Sequence, residues 1–298
     1  MTDEFIRSSA GLKNKHLFHD VDLVVYVEGG SEEGRPPAVE FASYDELFWT
    51  IVITSFVQTE VKIKVQCHGS KNNLIAIAKK IATEELTGVF VAMDRDYDDF
   101  SGEGVEGGGV LRTFGYSWES DVWDADVCIR VFRKLRPIGD RALAEEMAIE
   151  CYDALERTGR FIAWADSVLY CSGQPLLATR YEKEFICSDA DHRPYIDSKR
   201  VRTRLRQSRK RCAKKQLMRQ SIRGIRGVYD LRGKFLAAFS VKLINGMLRT
   251  QGARGAINVD LVTGLALDEL ADSLANDAEK ITVTDYYKSL MEHVSEAA

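Results

Sequence analysis

Three acidic residues follow short apolar runs in the first hundred residues of this 298-residue chain. Glu28 comes directly after the run DLVVYV, and Asp94 and Asp96 come after the run GVFVAM. Carboxylates are the ligands that hard divalent cations prefer, and Mg²⁺ usually takes only one or two of them from a protein. In an extended segment residues i and i+2 point to the same side, so the D-R-D spacing predicts two carboxylates aimed at one point. Glu28 could bind the same metal or move a proton.

The same acidic residues can also be interpreted without a metal site. Asp94, Asp96, Asp98 and Asp99 could be a polar loop that caps a helix, because aspartate favours helix starts. A lone V-E-G at the end of an apolar run is a weak signal as well. The combination is considerably more specific, provided that the surrounding elements have the order of an α/β fold.

The apolar runs predict strands, and the segments between them predict helices. The runs at 22–27 and 88–93 are continuously apolar, and VKIKVQC at 61–67 alternates with a period of two. Helical spacing of apolar residues occurs at 72–85, and a second helix is predicted at 43–56. This β-α-β-α-β order is typical of a parallel sheet with helices packed on its faces.

Polar groups then follow three of the predicted strands at one edge of the sheet. They are Glu28, the turn HGSKN at 68–72 and the D-R-D motif. Ligands of parallel sheets bind beyond the carboxyl ends of the strands, which is where these groups fall. Lys71, in the turn, could hold a phosphate or offset the acidic cluster, and it could also be a solvated surface lysine.

The pattern changes to helices beyond about residue 120. A further strand is predicted at 110–114, after a glycine-rich stretch. Helical periodicity is then found at 140–158, 161–172, 197–222, 230–250, 260–276 and 283–296. We therefore predict an α/β fold class, with a parallel sheet flanked by helices in a domain at 1–125 and a helical domain at 126–298.

Residues 199–226 form a basic segment with 13 Lys or Arg and no Asp or Glu, in a chain whose net charge is −4. On a helix, a narrow apolar stripe by which it could dock consists of Val201, Leu205, Ser208 and Cys212. The cations that we expect to bind nucleic acid are Lys71 and, within the segment, Arg202, Arg206, Arg209 and Lys210. Uncompensated charge of this density favours a polyanion, and the predominance of arginine suits phosphate. Docking of a partner protein and a solvated face are the alternatives.

Several functional classes lack support in the sequence. No apolar run approaches the roughly 18 residues that a membrane span requires, and the polar N-terminus lacks the apolar core of a secretory signal. We therefore expect a cytoplasmic protein that does not associate with membranes. The six cysteines occur singly, without the spacing of a disulfide framework or a zinc site. No G-K-[ST] follows the glycine-rich stretch, so ATP hydrolysis by this chain is not expected.

The order of these motifs resembles the Toprim domain, the catalytic module of primases, topoisomerases and OLD-family nucleases. The residues that carry the resemblance are VVYVEGGSEE, HGSKNN and VFVAMDRDYDDF. The continuations RTFGYSWESDVWD at 112–124 and YDLRGKFLAAFSVKLI at 229–244 are similar to the Toprim-like nucleases of bacterial anti-phage defence. The members of that family include AriB, the effector of the PARIS system. The resemblance extends over most of the chain and implies that 1–125 is a Toprim-like catalytic domain.

The resemblance implies a role for each matching acid. Glu28 matches the Toprim glutamate, and Asp94 and Asp96 match its paired metal-binding aspartates. Glu119 matches a further acid of the family, which would serve a second metal. The implied catalytic and metal-binding residues are therefore Glu28, Asp94, Asp96 and Glu119.

Three polar residues near these acids have no assigned role. Toprim sequences usually carry an aspartate shortly after V-E-G, where this chain has Glu32 and Glu33. These two glutamates could support the site or cap a helix. His68, in the turn after the second predicted strand, could also take part.

The resemblance implies a Mg²⁺- or Mn²⁺-dependent nuclease that cleaves host RNA such as tRNA. It further implies an effector that a partner ABC-type ATPase holds inactive, that phage infection releases and that is active as a homodimer. The alternative is a catalytically silent Toprim fold that docks a partner protein or nucleic acid. An intact acidic set argues against this alternative, because close carboxylates raise one another's pKa unless a cation compensates their charge.

Overall fold

The computed structural model describes residues 16, 19–31, 43–84, 86–102, 104–105, 107–177, 182–211, 224–255, 257–275 and 281–296. Glu32, Glu33, Cys212 and the remainder of the basic segment up to residue 223 lie outside the described residues. The chain forms two compact units. The first unit consists of Met1–Arg95, Glu103–Phe114 and Ala271–Ala298, and the second consists of Asp96–Gly102 and Gly115–Leu270.

The first unit contains a mostly parallel sheet, which has five strands within the described part of the chain. The strands are β1 (Leu23–Val27), β2 (Gly29–Ser31), β3 (Ile63–Gly69), β4 (Val89–Met93) and β5 (Val110–Arg112). Their order across the sheet is β2-β3-β1-β4-β5, and β2 is antiparallel to β3 while the other pairs are parallel. Every residue of β1 and β4 is buried, as expected for parallel strands covered on both faces. The predicted parallel sheet is confirmed.

Helices make up most of the rest of the described chain. None of them combines the length and the apolar character that a membrane crossing requires, within the residues described. In chain order they are α1 (Tyr44–Phe56), α2 (Lys71–Glu84), α3 (Asp98–Ser101), α4 (Trp118–Val122), α5 (Ala125–Leu135), α6 (Arg141–Tyr170), α7 (Ser198–Arg211), α8 (Gly233–Thr250), α9 (Val259–Ala275) and α10 (Ile281–Glu296).

Helices α1 and α2 connect the parallel strands of the first unit. The Ser43 hydroxyl accepts the Glu46 N–H at 3.1 Å and so caps the N-terminus of α1. The apolar face of α2, which includes Leu74 and Ile77, packs with alternate residues of β1 and β4. Connections between parallel strands are almost always right-handed, and the chain leaves β1 toward β3 and then crosses back to β4. The two helices therefore cover opposite faces of the sheet.

The division into units differs from the expected boundary at residue 125. Helix α10, at the end of the chain, belongs to the first unit, where the hydroxyl of Tyr287 accepts the N–H of Phe114 at 3.2 Å. The ring of Tyr287 also packs edge-on against Phe48 and Trp49 of α1. These contacts join segments more than 170 residues apart, and no local sequence pattern indicates them.

The second unit is mainly helical, as predicted, and adds the antiparallel pair β6 (Ile186–Ser188) and β7 (Pro194–Ile196). One prediction is wrong in detail, because α6 runs without a break through the residues between 158 and 161. Gly159 lies inside this helix, where an added Cβ would come within 2.9 Å of Leu231 Cδ1. The glycine therefore permits a close packing contact and does not end the helix.

Candidate acidic site and basic helix

Glu28 and Asp94 leave neighbouring strands at the same edge of the sheet in the first unit. Glu28 directly follows β1, Asp94 directly follows β4, and Val27 lies beside Ala92 in the register of the two strands. Adjacent strands are about 4.8 Å apart, so the two acidic positions are close along this edge. The strand order places β1 at the switch point of the sheet, where ligands of open α/β sheets bind.

The glycine after Glu28 allows the chain to turn into β2 without a collision. Gly29 has a φ of 127°, and an added Cβ would lie 2.6 Å from Ser43 Oγ and 3.1 Å from Cys67 Sγ. The Ser43 hydroxyl, which caps α1, also donates to the backbone carbonyl of Glu28 at 3.5 Å. The V-E-G sequence thus fixes the backbone of Glu28 between β1 and the start of α1.

Lys71 holds the backbone at the start of the D-R-D motif. It is the first residue of α2, and its Nζ donates to the carbonyl oxygen of Asp94 at 2.8 Å. Its position at the acidic edge agrees with the prediction, and the lysine is engaged by the protein there. Its proposed contact with a nucleic-acid phosphate stays a prediction.

Asp96 departs from the extended geometry that the sequence suggested. Its φ is 51°, in the left-handed region, and its N–H donates to the Tyr116 carbonyl at 2.7 Å. Aspartate tolerates this conformation better than most residues other than glycine. The prediction that residues i and i+2 share one side of an extended segment is therefore wrong at Asp96, because a turn begins there.

Glu119 is buried in the second unit and interacts electrostatically with Asp96. Burial raises the pKa of Glu119 above its ordinary value of 4.5, the hydrogen bond from the Ser117 hydroxyl lowers it, and the charge of Asp96 raises it further. Gly233, at the start of α8, contacts Glu119 so closely that an added Cβ would collide with its side chain. The structure thus brings together two of the four predicted acids within this unit.

Among the described residues, no three His, Cys, Asp or Glu side chains form a group that could hold a metal ion. Mg²⁺ needs only one or two carboxylates when water and substrate supply the other oxygens. The charge of Lys234 already lowers the pKa of Glu119, against the effects of burial and of Asp96. Binding of a divalent cation by these acids therefore stays a prediction.

A buried ion pair that was not predicted from the sequence contacts Tyr97, the residue after Asp96. Asp166 of α6 is wholly buried and accepts hydrogen bonds from Arg232 Nε at 2.7 Å and from the Tyr97 hydroxyl at 3.0 Å. A signal was present, because Asp166 interrupts the apolar stretch FIAWADSVLY, where an isolated acid requires a buried partner. No pattern identifies which arginine supplies it.

Residues 199–211 of the basic segment lie in a docked helix with most of its cations outward, whereas Arg226, outside this helix, pairs with Asp230. Val201 and Ser208 of α7 are buried and Leu205 is half-buried, which confirms the predicted stripe as far as residue 211. The side chains predicted to contact nucleic acid are exposed, and they are Arg202, Arg206, Arg209 and Lys210. Their spacing places them on one face of the helix, so they form a continuous positive surface.

Comparison with known proteins gives no family assignment. No protein-family model matches the chain, and no curated protein matches it. Function is therefore inferred from the residues, their geometry and the resemblance of their motifs to Toprim nucleases.

Replacement of Lys71 tests its hold on the D-R-D backbone. Lys71→Met keeps most of the side-chain length and removes the donor to the Asp94 carbonyl. We expect the free energy of unfolding in urea to fall by about 1.5–3 kcal/mol, the range for a hydrogen bond that involves a charged group. Lys79→Met, on the exposed face of the same helix, should change it little. Equal losses in the two variants would contradict the structural role of Lys71.

Replacement of the α7 arginines tests the basic helix. Arg202, Arg206 and Arg209 changed together to alanine should weaken RNA binding and lower the slope of log affinity against log salt by about two to three. The measurement is fluorescence anisotropy with labelled tRNA at several salt concentrations. Alanine at the exposed Arg141, Arg157 and Arg254 removes the same charge elsewhere and serves as the control. Similar slopes for the two triple variants would contradict a specific role of the α7 arginines in RNA binding.

Proposed function

We propose that this chain is a divalent-metal-dependent nuclease that cleaves phosphodiester bonds in nucleic acid, with RNA such as tRNA as the preferred substrate. The observation that carries the proposal is the position of Glu28 and Asp94. These residues follow adjacent central strands at the carboxyl edge of a parallel sheet. The resemblance of the motifs to Toprim nucleases supports the same activity and is the reason for favouring RNA.

Each acid has a proposed role. As the resemblance implies, Asp94 and Asp96 are metal ligands, and Glu119 serves a second ion. A divalent cation bound there would offset the negative charge that develops on the phosphoryl oxygens during cleavage. Glu28 moves a proton to or from the reacting oxygen, or contributes a ligand. Lys71 keeps the backbone of Asp94 in place through its carbonyl.

The basic helix supplies the binding energy for the substrate. Its exposed cations are uncompensated by any acid within α7, so phosphates can replace their counterions. Arginine also binds phosphate oxygens through two parallel N–H donors. The segment has no aromatic residue, so stacking on bases contributes little and the contact is with the backbone of the nucleic acid.

The biological setting follows from the resemblance alone. We propose a cytoplasmic effector of an anti-phage defence system that a partner ABC-type ATPase holds inactive until infection. Release would allow the chain to form a homodimer and cut host RNA, which stops growth of the infected cell.

A binding module without catalysis is the second candidate. The observation that favours it is the absence, among the described residues, of a group of three metal ligands. In that case the fold and the positive surface of α7 would dock a partner protein or nucleic acid, and Glu28 would have no part in chemistry.

Cleavage by the purified chain separates the two candidates. Labelled tRNA, single-stranded RNA and duplex DNA are incubated with the wild type in Mn²⁺, Mg²⁺ or EDTA. We expect cleavage of RNA that EDTA abolishes and that Glu28→Gln slows about 10²- to 10⁴-fold, since general acid–base catalysis contributes that much. Glu60→Gln, at an exposed glutamate of the same unit, should cleave like the wild type.

The other outcomes are equally informative, because the purified chain is free of the proposed inhibitory partner. Cleavage that persists in EDTA or in Glu28→Gln would contradict the proposed roles of the acids. Binding of RNA without cleavage in either metal would favour the binding module.

A further inference from the structure

Asp166 in the second unit is a buried carboxylate with three donors. Its Oδ2 accepts from Arg232 Nε at 2.7 Å and from the Tyr97 hydroxyl at 3.0 Å, and its Oδ1 accepts the Leu177 N–H at 2.8 Å. Burial and the charge of Asp166 raise the pKa of Tyr97, so its hydroxyl keeps the proton that it donates. We call Tyr97, Asp166 and Arg232 the Asp166 network.

Aromatic rings surround the guanidinium of this network. The Cζ of Arg232 lies 5.9 Å from the ring centre of Tyr97, 5.8 Å from that of Tyr116 and 5.4 Å from that of Tyr170. Burial disfavours the charged guanidinium and is the largest single effect, but Asp166 and the two tyrosines Tyr116 and Tyr97 together outweigh it and raise the pKa of Arg232. The arginine therefore stays charged, and cation–π attraction adds to its ion pair. Few alternative positions are open to these side chains.

The network is joined directly to the backbone of Asp96. Tyr97 is the next residue in the chain, and its ring packs edge-on against Tyr116 with centres 4.7 Å apart. The Tyr116 carbonyl accepts the Asp96 N–H at 2.7 Å, and the Tyr116 N–H donates to the backbone carbonyl of Tyr229 at 2.6 Å. A left-handed φ at a residue other than glycine costs energy and persists only where its surroundings fix it. Here the surroundings are Tyr97 on one side and Tyr116 on the other.

The network also reaches the position of Glu119. Arg232 directly precedes Gly233, the first residue of α8, which packs against the side chains of Ser117 and Glu119. A shift of Arg232 would move this glycine and change the space that the Glu119 carboxylate occupies. The same buried pair is thus connected to both acids that interact in the second unit.

We propose that the Asp166 network positions Asp96 and Glu119, and that it thereby sets the affinity of these acids for a divalent cation. The effect on cation affinity rests on the proposed function, whereas the effect on the Asp96 backbone does not. None of the three network residues needs to touch a substrate. Residues that orient metal ligands in this way typically change metal affinity 10- to 100-fold when they are replaced.

Tyr97→Phe is the variant that tests the proposal. It removes only the hydroxyl that reaches Asp166 and keeps the buried ring. The matched control is Tyr152→Phe, because Tyr152 is also a buried tyrosine of this unit and its hydroxyl lies 2.7 Å from Ser240 Oγ. Each variant loses one buried hydroxyl: that of Tyr97 contacts Asp166, and that of Tyr152 contacts Ser240 and also Cys128 Sγ at 3.7 Å. Both variants should therefore lose stability, and a role limited to general stability would raise exchange in both.

Two measurements are made on the full chain. Hydrogen-exchange mass spectrometry without metal follows the peptide that contains Asp94 to Tyr97, and calorimetry follows the uptake of Mn²⁺. In Tyr97→Phe we expect exchange at this peptide to be about two to ten times faster, the effect of one ordinary hydrogen bond. We also expect Mn²⁺ affinity to fall about tenfold or more. Tyr152→Phe should leave both quantities as in the wild type.

The two measurements separate failure of this proposal from failure of the proposed function. Unchanged exchange in Tyr97→Phe, or equal changes in both variants, would overturn the positioning of Asp96. Faster exchange with unchanged Mn²⁺ affinity would overturn the link to the cation. If the wild type takes up no Mn²⁺, the proposed metal-dependent function is refuted, and exchange alone decides whether the network fixes the Asp96 backbone.

Discussion

One buried negative charge organises the second unit. Asp166 has no solvent exposure, and an uncompensated carboxylate in such a place costs several kcal/mol. The compensation comes from Arg232 at the start of α8 and from Tyr97, which follows the D-R-D motif. These donors lie 66 and 69 residues away along the chain, so the charge is satisfied only when the segments have assembled around α6. The turn at Asp96 is a consequence of that assembly.

The parallel sheet could be predicted because each strand and helix has a recognisable pattern of apolar residues within its own segment. The strands β1, β3 and β4 are short apolar or alternating runs, and the apolar spacing of α2 identifies it as their crossover helix. Other features depend on contacts between distant segments. Leu231 packs closely against Gly159 inside α6, and the Tyr116 carbonyl accepts the N–H of Asp96 at the turn. Neither contact has a signature in the surrounding sequence.

The candidate site was likewise predictable where it depends on local sequence and not where it depends on contacts between distant segments. Glu28 and Asp94 were located from their places after apolar runs, and the sheet puts both at one edge. Glu119 came from the resemblance, and its interaction with Asp96 is visible only in the structure. Arg232 could not be found from the sequence, since the basic residues around it give no sign that this one is buried with an aspartate. The positions of Glu28 and Asp94 were thus predictable from local pattern, and the buried Asp166–Arg232 pair was not.

We propose that the D-R-D motif binds a divalent cation. Calorimetry of Mn²⁺ uptake tests this binding directly. Wild type, Asp94→Asn and Asp96→Asn are compared, since asparagine keeps the shape of the side chain and removes its charge. We expect the wild type to bind Mn²⁺, its thermal stability to rise with the metal, and both variants to lose this response. Equal uptake and equal stabilisation in all three proteins would contradict it.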